Sequence, residues 1–266
     1  TAGGFAQSFP NTIPFSESVG FIADVDDSEE GGNDYAFLIT VHEVAHQWWA
    51  HQVIGADVLG ATVLSESLSE YVSLKVLEKV NGKKKMRKFL KRSLDEYLTS
   101  RTFESKRENA LMYNDGQGYI RYQKGSLIFY ALSDYIGEKK LNKALSKYIK
   151  KVAFQEPPYT TSIDMVNHIK EVTPDSLNYL IKDMFKTITL YQNRVIESTV
   201  SELKNGKYKV DIEFEVSKYR NNEKGRMFYG NEERDSISYK TDKMKKPQYS
   251  VYLSDYIDIG IFGKDD

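Results

Sequence analysis

The chain has no cysteine, which excludes disulfide staples, thiolate metal sites and a cysteine nucleophile. No apolar run approaches the roughly 18 residues needed to cross a bilayer, and no charged-then-apolar leader opens the chain. Basic residues are not in excess. Thirty-seven Lys and Arg face 38 Asp and Glu, a net charge of −1, which argues against a nucleic-acid partner. Histidine is scarce, with four in all: His42, His46, His51 and His168. Three of them fall within ten residues. The rest of the composition, 40% apolar and 28% charged over 266 positions, describes a globular chain long enough to bury a sizeable core. Thr1-Ala2-Gly3-Gly4-Phe5 reads as interior sequence, so the chain is expected to be a piece of a longer protein.

Hydrophobic spacing predicts an α+β chain: a mainly helical domain over residues 1–187, then a small antiparallel β module over 188–266. Val19 to Ala23, an apolar run between turn formers, predicts a strand. From Asp34 the period becomes helical, capped by Asn33 or Asp34 and running to about Gly55, with Phe37, Leu38, Val41, Val44, Ala45 and Trp48 as its apolar stripe. A second helix is predicted from Ser65 to Val80 and a third from Lys83 to Thr99, separated by the stop signal Asn81-Gly82. Others follow over Tyr119–Tyr135, 138–151, 161–171 and 175–186. The run Lys83–Arg92 carries seven basic residues and reads as the solvated face of an amphipathic helix. Beyond residue 187, Tyr208, Val210, Ile212, Phe214 and Val216 alternate with charged residues, and Asn205-Gly206 joins them to Val195–Leu203 as a hairpin. Tyr249–Leu253 and Ile257–Phe262 are further strand candidates.

The chemistry is concentrated in His42-Glu43-Val44-Ala45-His46. On a helix, residues four apart lie about 40° around and one turn apart in height, so both imidazoles can reach one metal ion. Glu43, about 100° away from His42, is placed to hold a water rather than to ligate. Catalytic zinc takes three protein ligands, and the next helix offers Glu66, with Glu70 one turn later as rival ligand or outer anion. His51 lies on the far side of the helix, and His168 stands alone; neither is assigned a role.

His42-Glu43-Val44-Ala45-His46-Gln47-Trp48-Trp49 followed by Leu64-Ser65-Glu66 resembles the zinc signature of gluzincin aminopeptidases of the aminopeptidase N type, the M-one peptidase family, whose pattern is H-E-x-x-H, a spacer and N-E-G. Pro14-Phe15-Ser16-Glu17-Ser18-Val19-Gly20 is similar to the family's G-x-M-E-N-x-G, and Tyr122-Gln123-Lys124-Gly125 to its Y-E-K-G. The resemblance implies a thermolysin-like catalytic domain holding one zinc ion through His42, His46 and Glu66. It also implies Glu43 as general base, Tyr122 as donor to the developing oxyanion, and Glu17 as partner of the substrate's free α-amino group. The expected activity is removal of N-terminal residues from peptides. The alternatives are a zinc endopeptidase or other hydrolase on the same site, or a catalytically silent peptidase-like domain of a transport complex.

The sequence departs from the family pattern in places. Nineteen residues separate His46 from Glu66 where the commonest family spacing is one fewer. Ser65 and Ser67 flank the glutamate in place of Asn and Gly, and Pro14-Phe15-Ser16 replaces Gly-x-Met. The stretch Trp48–Gly55 with Leu64–Ser67 looks most like bacterial proteins in which an ABC-transporter-type permease region precedes the peptidase. That likeness implies membrane association through segments outside this chain; the face of the membrane is left open, with the extracytoplasmic one favoured.

Overall fold

The structure, a computed structural model, describes residues 4–22, 35–106, 108–221, 227–228, 253, 255–261 and 263. Its class is α+β, helices first and an antiparallel sheet after them. Two compact units result, Thr1–Ser105 with Asn109–Lys186, and Lys106–Glu108 with Thr187–Asp266.

In the first unit α1 spans Tyr35–Ala45, α2 Leu68–Thr102, α3 Gly125–Ile136, α4 Glu138–Val152, α5 Ser162–Lys170 and α6 Asn178–Ile181. The stop expected at Asn81-Gly82 is a kink inside α2, where Gly82 adopts φ 78° and ψ 164°, a conformation that costs a glycine little and other residues much. Thr161 caps α5, its hydroxyl accepting from the Asp164 amide while the Asp164 carboxylate accepts from the Thr161 amide. Leu64, Leu68, Tyr71, Phe129, Leu132 and Phe185 sit in one continuous core, with the Phe129 ring 6.0 Å from Tyr71 and 5.5 Å from Phe185. A smaller cluster, Leu74, Leu77 and Met86 with Phe37 and Leu38 against them, fastens α1 to α2. It fixes the helix that carries the histidine pair against the helix that follows Glu66.

Three expectations are corrected. Ser18–Ile22 is a π-helical turn, not a strand: the amides of Val19 and Gly20 both donate to the Ser16 carbonyl, closing the chain locally before a ladder can form. The first helix stops at Ala45, ten residues short of Gly55. No strand forms over the described residues 257–261, because alternation yields a strand only where a partner supplies the ladder. The proposed cap at Asn33 or Asp34 and most of Tyr249–Leu253 lie outside the described residues.

In the second unit β1 (Ile188–Glu202) pairs antiparallel with β2 (Tyr208–Asn221) over its whole length, with one bulge between Val195 and Glu197, and β3 (Met227–Phe228) adds a short third strand. Gly206 takes φ 73° in the connecting turn, the left-handed conformation that the Asn-Gly pair predicts.

Candidate metal centre

α1 presents His42 and Glu43 in its last turn, and His46 follows directly on its end, its amide donating to the His42 carbonyl; each of the three is only 8% exposed. The early end of α1 completes the environment of His46. Had the helix continued, the Trp49 carbonyl would have accepted from the Val53 amide. Instead the Val53 amide goes to Trp48, and the Trp49 carbonyl lies 2.8 Å from His46 Nδ1, with Ser69 Oγ at 3.0 Å. A carbonyl can only accept, so Nδ1 carries the proton and Nε2 keeps its lone pair free.

Glu66 sits in the π-helical turn Val63–Ser67, directly ahead of α2. A π turn holds more residues than an α turn, and this one lies in the interval that is one residue longer than the common family spacing. The result is a tight trio. His42 Nε2 is 2.9 Å from His46 Nε2, Glu66 Oε2 is 3.2 Å from the first and 3.3 Å from the second, and all three side chains can ligate one ion. Tetrahedral zinc with ligands at about 2.0–2.1 Å sets them about 3.3 Å apart, so the donor set and its spacing fit that metal. Glu70 is not part of the trio. Its Oε1 lies 3.0 Å from His42 Nδ1, which sets a carboxylate charge beside the ring nitrogen that does not face the trio.

The electrostatics are those of a cluster lacking a cation. Burial alone would lower the pKa of His42, but hydrogen bonds and charge from Glu66 and Glu70 outweigh it and push the value up to about 10. Burial works against ionisation of Glu66 too, yet its bonds to the two histidines hold the carboxyl well below the usual range. In the metal-free protein a proton on His42 therefore supplies the positive charge that the carboxylates require.

Tyr122 comes from the π-helical turn Ile120–Lys124, its ring 6.0 Å from that of His42. Burial, and then the charge of Glu66, push its phenol up to about 12, so the hydroxyl stays a donor at neutral pH. The glycine after it has a physical reason: a Cβ on Gly125 would stand 2.2 Å from Ser67 Oγ and 2.6 Å from Ser67 Cβ. Only glycine lets the turn carrying Tyr122 approach the turn carrying Glu66. Ser67 Oγ then donates to the Arg121 carbonyl at 2.6 Å, tying the two turns together.

Glu17 is exposed just ahead of the turn Ser18–Ile22, and none of the bonds or ion pairs of the trio involves it. His51 and His168 are outside the trio; His168 packs on Tyr148 with ring centroids 5.8 Å apart. Sequence reasoning missed the Trp49 carbonyl, Ser69 and Arg121. A backbone carbonyl leaves no sequence signal, and the two side chains belong to no spacing rule.

The model of the family described as Peptidase family M1 domain matches residues 11–187. Endoplasmic reticulum aminopeptidase 2 from Homo sapiens is 23% identical over 123 residues, 44% of this chain and 13% of that protein. The chain thus spans about an eighth of that relative's length. Among solved structures, an M1 zinc metallopeptidase from Deinococcus radiodurans matches with a TM-score of 0.50 at 17% identity, covering 69% of this chain and 37% of that one. LTA4 hydrolase from yeast matches with a TM-score of 0.54 at 13% identity, covering 69% and 28%.

Proposed function

Since the chain belongs to peptidase family M1, we propose that it is the catalytic portion of a zinc-dependent aminopeptidase, holding one ion through His42, His46 and Glu66. The observation that carries this reading is the trio itself: two imidazole nitrogens and a carboxylate oxygen within 3.3 Å of one another, in a cluster short of positive charge. When bound, zinc supplies Lewis acidity, lowering the pKa of a water and polarising the scissile carbonyl. Glu43 takes the attacking water's proton and passes it to the leaving amine. Tyr122, held neutral, donates a hydrogen bond to the oxygen on which negative charge develops. Glu70 and the Trp49 carbonyl hold the two imidazoles in the tautomers and orientations that this work needs.

Glu17 is the proposed partner of the substrate's α-ammonium, fixing the cut after the first residue. An exposed ion pair is worth about 0.2–1 kcal/mol, so Glu17 in its present surroundings accounts for a severalfold preference. Comparing a free-amine peptide with its N-acetylated form tests the exopeptidase reading: the free amine is expected to be cleaved faster, and equal rates would assign the same metal site to an endopeptidase. Continuation into a permease region, with membrane association through it, is a further proposal resting on the sequence around Trp48 and Trp49. Among the described residues no helix is long and apolar enough to cross a membrane.

A further inference from the structure

Arg121 immediately precedes Tyr122, and its guanidinium carbon lies over the Tyr122 ring, 4.9 Å from the centroid. The Tyr122 ring also packs against His42, at 6.0 Å, so the guanidinium is one side chain removed from the metal trio. Its backbone is held next to Glu66 by the Ser67 hydroxyl. A cation lying over a ring engages it through its face, which leaves the in-plane N–H donors unspent. The Nε of Arg121 is buried and has no hydrogen-bond partner, and leaving a buried donor unmet is unfavourable. Several other cations among the described residues have a carboxylate: Lys75 meets Glu78 and Glu138, Arg92 meets Glu96, Arg194 meets Glu215 and Lys218 meets Asp255. Arg121 has no such carboxylate among the described residues, although Glu43, Glu66 and Glu70 make its neighbourhood strongly anionic.

We infer that Arg121 is a substrate-binding residue that receives the free C-terminal carboxylate of short peptides, dipeptides above all. The inference rests on the proposed peptidase reading, in which the Tyr122 hydroxyl meets the scissile carbonyl. From there one extended residue spans about 3.3–3.6 Å, and a guanidinium–carboxylate contact adds about 2.8 Å. A cation 4.9 Å from the ring of Tyr122 thus falls within reach of the carboxylate on the residue just after the cut. The same arginine gives an acidic site a way to accept an anionic end that Glu43, Glu66 and Glu70 would otherwise repel.

The test uses the full chain loaded with zinc, the dipeptide Leu-Ala and its C-terminal amide. Turnover of both is measured on the wild-type chain; binding of both is measured by calorimetry in a Glu43→Gln background, with and without Arg121→Met. The free acid is expected to bind at least tenfold tighter than the amide, and Arg121→Met is expected to bring that ratio to about one, with Arg121→Lys in between. Equal binding of acid and amide, or a ratio that survives Arg121→Met, overturns the role of Arg121 and leaves the peptidase reading standing. A wild-type chain that binds the acid selectively but turns over neither substrate, nor any other peptide with a free amine, removes the peptidase reading and keeps the carboxylate site.

Discussion

Each unit of the chain buries charge, and each handles it differently. In the second unit Lys218 Nζ lies 3.0–3.1 Å from both oxygens of Asp255, the side chains only 4% and 6% exposed, with the Tyr191 hydroxyl donating to the same carboxylate. There an ammonium is paired with a carboxylate inside the unit itself. In the first unit Glu66 and Glu70 converge on two imidazoles while Glu43 is buried one residue away. With the histidines neutral, no positive charge balances these carboxylates. A balanced buried cluster is architecture, whereas one that lacks a cation has room for an ion and for the chemistry that the ion brings. The surroundings differ in the same sense. The trio is seated in a helical unit with a continuous core, while twelve of the fifteen residues of β1 are exposed.

The strongest attempt to break this contrast is Glu43→Gln. It removes a proton acceptor without touching a ligand, so turnover should fall by about 10²–10⁴-fold with zinc content unchanged by elemental analysis. Lys218→Met strands a buried carboxylate in the other unit and should lower stability by about 3–5 kcal/mol in denaturant unfolding. The zinc content of the folded protein should stay at the wild-type level, and loss of metal from that variant would mean that the two clusters are not independent. Glu70→Gln keeps the shape but removes the charge behind His42. Zinc affinity should drop by about 10–100-fold in competition with a chelator, while saturating zinc restores binding. The smallest effect is a proton count. Without metal His42 stays protonated up to about pH 10, and zinc requires the neutral ring. Binding at pH 7 should therefore expel a proton from His42, and affinity should rise as pH rises toward 10. Titration calorimetry in buffers of different ionisation enthalpy reads this directly, and an enthalpy independent of buffer would contradict it.

Much of this organisation is legible in the sequence because it rests on periodicity. The His42/His46 pair follows from helical spacing, the hairpin from alternation around Asn205-Gly206, and the break in α2 from Gly82. What escaped has no local code. No glycine or proline lies between His46 and Ile54, so nothing in the sequence announces that α1 ends at Ala45; the end is set by a carbonyl turning back onto His46. The π-helical turns at Glu66 and Tyr122 differ from α turns by a single residue's placement, below what an apolar stripe can resolve. Gly125 reads as a motif letter until the closeness of Ser67 explains it. The setting of Arg121 exists only in three dimensions, since its sequence neighbourhood holds Lys124 as well and does not say which of the two lies over the Tyr122 ring. Ile257–Phe262 misled for the opposite reason: the pattern alternates, yet its described residues 257–261 form no strand.

The central claim is that His42, His46 and Glu66 together hold one zinc ion. Elemental analysis of the purified chain, wild type beside Glu66→Ala and Glu70→Ala, tests it most directly. The account predicts about one zinc per wild-type chain, loss of the metal from Glu66→Ala, and weaker but saturable binding in Glu70→Ala. Full zinc occupancy in Glu66→Ala, or loss confined to Glu70→Ala, would contradict it.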